Sequence, residues 1–194
     1  MVIKHFALIS LLLLPALTAC TGKAAPEAWS TELQAAEQYF ENGQMEKASE
    51  NLSAGLEIAR HEKVPEKELC PYLLSLSRCY LTQGKTDEAA LVSRQALCAA
   101  RDKFGLESMA LVPYLLQESR AKYKMKDFQA SQESALKALC LQEKNLGQDA
   151  EELIETFNLI VSAACADDHC VDTEPYIKRQ LDLRRRYLGS EHPH

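Results

Sequence analysis

Apolar residues recur at three- and four-residue spacing along most of the chain beyond about residue 29, and no segment alternates strictly. Leu73, Leu76, Tyr80 and Leu81 follow that spacing, as do Leu91, Ala96, Leu97 and Ala100. Apolar positions at that period mark amphipathic helices that bury one face. Gly84 breaks between the two runs, and Gly105 closes the second where a C-cap glycine belongs. The spacing predicts helices over about 30–41, 45–62, 66–82, 86–103, 107–124, 128–145, 149–165 and 172–187. A different pattern opens the chain. Phe6 to Leu17 is almost continuously apolar behind Lys4, shorter than the ~20 residues that span a bilayer and matched to a signal-peptide core.

The helices come in a repeating unit. Cys70-Pro71-Tyr72-Leu73-Leu74 is echoed 42 residues later by Val112-Pro113-Tyr114-Leu115-Leu116. At the same offset Ser77-Arg78 returns as Ser119-Arg120, and Ala96-Leu97-Cys98 as Ala138-Leu139-Cys140. Gly105, Gly147 and Gly189 keep the period, and Gly43 precedes Gly84 by 41. Self-similarity at such a period is the signature of stacked helical repeats. Small residues recur at Ala36, Ser77 and Ser119, at Ala48, Ala89 and Ser131, and at Gly55, Ala96 and Ala138.

With these residues in place, the chain resembles the tetratricopeptide repeat (TPR) family, in the longer repeat form of kinesin light chain. Leu188-Gly189-Ser190-Glu191-His192-Pro193 is similar to that subfamily's linker. The resemblance implies an all-α fold, a right-handed superhelix of about four helix pairs. First helices would line a concave groove, and second helices would form the back. Repeats are expected over about 29–69, 70–111, 112–153 and 154–194. The pattern departs from the family where Lys126 and Asp168 replace the turn glycine, and where Val161, Thr173 and Gln180 take small-residue sites.

Leu17-Thr18-Ala19-Cys20 follows the apolar leader directly. It resembles the bacterial lipobox, whose cysteine is lipidated and becomes the mature N-terminus. That resemblance implies a removed signal peptide at 1–19, a lipidated Cys20 and a short tether through residue 28. The only non-protein group expected is this covalent lipid. Thr21 in place of Asp leans toward the outer membrane, facing the periplasm.

Composition changes this picture little. Net charge is −6 with pI near 5.4, against the basic surface that nonspecific nucleic-acid binding needs. Seven cysteines leave an even six after Cys20, in a compartment where disulfides persist. There is no Gly-rich phosphate loop, no Gly-x-Ser-x-Gly turn and no His-Glu-x-x-His. The expectation is a binding protein rather than an enzyme.

In the TPR family the inner helix faces bind peptide segments. Carried over by register, that face holds Glu37, Phe40 and Glu41 in the first unit, then Leu74, Arg78 and Leu81 in the second. Leu116, Gln117, Arg120, Tyr123 and Lys124 follow in the third, and Asn158 and Ser162 in the fourth. Arg78 and Arg120 should stand side by side, and guanidinium forks match carboxylates. With Lys124 they suit a partner bearing acidic groups, with Phe40 and Tyr123 as aromatic anchors. The alternative is that both arginines pair with acids on neighbouring helices and both rings pack internally.

Cys165-Ala166-Asp167-Asp168-His169-Cys170 sits at the predicted last turn. It can close as a Cys165–Cys170 disulfide, remain two thiols, or bind metal through Cys165, Asp167, His169 and Cys170, a crowded set for which no metal is expected. This turn supports a second functional class, a thiol or metal protein of the envelope. Cys70 is expected near Cys98, and Cys79 and Cys140 have no evident partner; all four also suit buried helix packing. The basic run Lys178, Arg179, Arg184, Arg185 and Arg186 reads either as a solenoid cap or as a binding surface.

Overall fold

The computed structural model describes residues 28–167 and 173–188, and every regular element among them is helical. The helices are α1 (Ala28–Glu41), α2 (Met45–His61), α3 (Glu66–Thr82), α4 (Thr86–Phe104), α5 (Val112–Lys124), α6 (Phe128–Leu146), α7 (Leu153–Ala166) and α8 (Glu174–Leu188). A short 3-10 turn, Met109–Leu111, leads into α5. The leader, Cys20 and the tether lie outside the described residues, as does Cys170.

Two helices start later than the periodicity predicts. The third unit's first helix begins at Val112 rather than near 107, and the fourth unit's at Leu153 rather than near 149. Pro113 supplies the reason for the first: it lacks an N–H and sits in the opening turn of α5, the one place a helix tolerates that loss. Ahead of it, the Ser108 hydroxyl accepts the Ala110 N–H in the 3-10 turn. Ahead of α7, Leu153 and Ile154 bond three residues back to Ala150 and Glu151. The Gln142 side-chain amide donates to the Glu152 carbonyl at 3.1 Å and ties this lead-in down. Unit two behaves differently, for α3 runs from Glu66 straight through Pro71.

Within a unit the helices join by one repeated turn. Gly43 and Gly84 adopt φ of +72° and +74°, and Lys126 takes the same left-handed conformation at +64°. In each turn the next residue's N–H reaches back five positions: Gln44 to Tyr39, Lys85 to Tyr80 and Asp127 to Lys122. These bonds satisfy the carbonyls a helix end leaves unpaired. Turns this short make the paired helices antiparallel, so the first helices of successive units all run the same way.

Each helix packs on its neighbours in sequence, and α1 touches α3, α3 touches α5, and α5 touches α7. No such contact joins α2 to α4 or α4 to α6. The odd-numbered helices are therefore drawn together and the even-numbered ones splay apart, which curves the stack with the odd helices inside. Fully buried small residues permit the close approach: Ala36, Ser77, Ser119, Ala48, Ala89 and Ser131. Ser77 Oγ donates to the Ala89 carbonyl at 3.0 Å, and one unit on Ser131 Oγ donates to the Ser119 carbonyl at 2.8 Å. At Gly55 the fit is tighter still, since a Cβ would meet Leu33 Cδ2 at 2.8 Å. The core falls into two parts, a large one from Leu33 to Ala138 and a small one around Leu139, Leu153, Phe157, Ile160 and Leu183.

Candidate functional site: the inner groove

The inner faces of α3, α5 and α7 enclose an open groove of about 1250 Å³. That exceeds the ~300–1,000 Å³ of a small-molecule pocket. Leu81, Met109, Val112, Leu116 and Ile154 form its apolar floor. Arg78, Arg120, Tyr123 and Lys124 stand on it from α3 and α5, and Glu151, Glu152, Glu155 and Asn158 from the α7 side.

Eight of the residues predicted for this face line the groove: Arg78, Leu81, Leu116, Gln117, Arg120, Tyr123, Lys124 and Asn158. Five do not. Glu37, Phe40 and Glu41 border a separate hollow of about 220 Å³ between α1, Leu52 and Ser75. Phe40 packs half-buried against the core rather than standing free as an anchor. Leu74 is a core residue, 8% exposed. Ser162 is exposed but lies a turn beyond Asn158, past the groove's end. Gln117 borders the groove yet is 1% exposed, and its side-chain amide donates to Ser77 Oγ at 3.0 Å. It therefore fixes the spacing of α3 and α5.

The charges divide unevenly between packing and availability. Arg120 pairs with Glu155 across α5 and α7. Partial burial, and after it the nearby Arg78 charge, hold the Arg120 guanidinium below its usual pKa range, although it stays charged at neutral pH. Arg78 and Lys124 are both exposed, and among the described residues neither has an ion-pair partner. Tyr123 presents one side to the groove and packs its ring against Phe128 at 5.4 Å between centroids. Asn158 is largely committed, accepting from Arg184 at 2.9 Å and from the Gln180 amide.

The acidic wall lies off the predicted face, because the 42-residue period carries Leu116 and Arg120 onto Asn158 and Ser162 rather than onto Glu151, Glu152 or Glu155. Gln142 and Leu146 reach the groove from α6, a contribution that no inner-face register predicts.

Part of the basic run on α8 packs onto the preceding helices, while Lys178 pairs within α8 itself. Lys178 pairs with Glu174 at 2.6 Å and Arg179 with Glu143 at 2.6 Å, and the Arg179 guanidinium lies 5.0 Å over the Phe157 ring. Arg186 reaches Asp149 at 3.1 Å. These contacts favour the capping reading over a free basic surface.

The cysteines separate by environment. Cys165 is disulfide-bonded, and its predicted partner Cys170 lies outside the described residues. Cys70, Cys79, Cys98 and Cys140 are free thiols. The expected approach of Cys70 to Cys98 produces no bond: Cys70 is buried and accepts the Tyr114 hydroxyl at 3.3 Å, whereas Cys98 is exposed. Burial as packing residues holds for Cys70 and Cys79 only, because Cys98 and Cys140 point outward from α4 and α6. Among the described residues no group of three metal-binding side chains gathers, and no helix is long and apolar enough to cross a membrane.

No family model matches the sequence, and no curated protein does. Solved structures do match. The chain is similar to BtubC (BKLC) from P. vanneervenii, with a TM-score of 0.74 at 19% identity over 86% of this chain. It spans 66% of that protein's length. Two structures of kinesin light chain TPR-like repeats from Podosopora anserina each give a TM-score of 0.73, at 20% and 19% identity. They cover 87% and 88% of this chain and 80% and 81% of theirs. The fold is a TPR-like helical repeat. This TPR-like chain places its inner groove where the first helices of units two to four meet, and unit one contributes only the smaller hollow.

Proposed function

We propose that this TPR-like protein is a non-catalytic adaptor that docks a peptide or partner domain in its inner groove. One observation carries the reading. Arg78 and Lys124 stand exposed and unpaired among the described residues over an apolar floor, in a groove of about 1250 Å³. An unpaired guanidinium beside apolar surface is an arrangement that recognises a partner's polar group while burying its apolar side chains. Cys20 in its lipobox-like setting supports a lipid anchor, which would hold the groove at the periplasmic face of the outer membrane. Diacyl or triacyl attachment suffices for stable anchoring. An envelope assembly or secretion system is the setting such an adaptor suits, by analogy rather than by residues.

The test is crosslinking and affinity purification of the full-length protein from its own membranes, wild type beside Arg78→Glu/Lys124→Glu. Arg120 is left intact, because a glutamate there would face Glu155. A partner that is retained by wild type and lost from the double variant supports groove docking. An unchanged partner set overturns it. Separately, Cys20→Ala should abolish metabolic labelling by palmitate and leave the leader uncleaved, read as a larger intact mass. Palmitate labelling that persists in that variant would end the lipid-anchor reading.

A further inference from the structure

The groove is bipolar, and its two poles lie at opposite ends of the inner helices. On α5 the positive charge runs from Arg120 to Lys124, one turn toward the helix's C-terminal end. Arg78, within the C-terminal half of α3, adds to the same pole. From Glu155, in the first turn of α7, the negative charge runs back to Glu152 and Glu151 in the turn before it. Because α5 and α7 run in the same direction, the two sets diverge from the Arg120–Glu155 pair that joins them. Leu116, Val112 and Ile154 form the apolar floor that both sets border. Glu151 and Glu152 are exposed, and among the described residues their carboxylates have no ion-pair partner.

A uniformly acidic segment fits only half of this site. Its acids would gain at Arg78 and Lys124 and would meet repulsion at Glu151, Glu152 and Glu155. Like charges placed together across an interface select against a partner, as opposite charges select for it. Helix dipoles account in part for acids at helix starts and bases at helix ends. They do not account for both poles facing one apolar floor.

We infer that the groove takes a peptide segment of mixed charge, with an acidic group toward Arg78 and Lys124, a basic group toward Glu151 and Glu152, and apolar side chains between. The order of charges along the segment fixes its direction in the groove. The inference rests on the groove-docking reading and narrows it from any peptide or partner domain to a bipolar segment.

A random peptide display library, selected on the full-length protein in detergent micelles, tests it. Three proteins are compared: wild type, Glu151→Lys/Glu152→Lys, and Arg78→Glu/Lys124→Glu. All four positions are exposed, and circular dichroism confirms that each variant keeps its helices. Wild type should enrich peptides carrying an acidic and a basic residue on opposite sides of an apolar stretch. The glutamate variant should switch to uniformly acidic peptides and bind the wild-type peptides about tenfold more weakly. The arginine–lysine variant should switch to basic ones. If wild type selects uniformly acidic peptides and the glutamate variant selects the same set, the bipolar inference is wrong while groove docking survives. If peptides are enriched but neither variant alters the selection, both fall.

Discussion

At the residue scale, the backbone conformations that favour glycine sit at positions the repeat period marks. Gly105 and Gly147 close α4 and α6 with φ, ψ of 82°, 165° and 85°, 175°, a region almost confined to glycine. Replacing either with alanine should cost about 1–3 kcal/mol in urea denaturation. The cost is all in the backbone, because nothing lies within 4 Å of the added Cβ. Lys126 is the converse, a side chain in a conformation its counterparts Gly43 and Gly84 adopt freely. Lys126→Gly should gain about 0.5–1 kcal/mol in the same assay. Cys79 sets a pH dependence. Burial raises its thiol from 9.0 to about 11, so above pH 9 the unfolded chain loses a proton that the folded chain keeps. Its stabilising effect is complete below pH 9 and is lost as pH rises toward 11, at about 1.4 kcal/mol per pH unit. Urea melts of Cys79→Ala should show a shallower alkaline decline than wild type, and an identical slope would refute the assignment.

At the element scale, the two proline-bearing helices respond differently to the same residue. Pro71 lies inside α3, where it removes a helix hydrogen bond, whereas Pro113 sits in the first turn of α5. Pro71→Ala should stabilise the protein by about 1–3 kcal/mol, because an interior proline costs a helix about that much. Pro113→Ala should change thermal stability little. Equal shifts in melting temperature would show that the two helices begin at equivalent places. The sequence echo Cys70-Pro71 and Val112-Pro113 treats the prolines as equivalent. They differ because Pro65, with ψ of 130°, stands before Glu66 and lets α3 start a turn earlier. In unit three, Ser108 caps a 3-10 turn instead. Periodicity reports which face of a helix is buried, and end chemistry decides where the helix begins.

At the scale of the whole molecule, each helix pair contacts only its neighbours, so stability is a sum of local terms rather than one global core. The fourth unit rests on the smaller apolar cluster around Phe157 and Leu183. Hydrogen exchange should therefore show α7 and α8 opening below the global unfolding energy, with α3 to α5 the last to exchange. Uniform protection across all four units would contradict the split core.

The sequence alone determined the helical class, the repeat period, the turn positions and the small-residue rows. These depend on local hydrophobic spacing and on the backbone freedom of glycine, which neighbours along the chain report. It also put Arg78, Arg120, Tyr123 and Lys124 on one face, because register within a repeat carries direction. Tertiary structure decided what those residues are free to do. Arg120 meets Glu155, 35 residues away, and Asn158 meets Arg184, 26 away, whereas Arg78 and Lys124 meet no counterion among the described residues. Whether a charge is spent inside the fold depends on which side chains the curvature of the stack brings together, and that curvature is set by packing between units.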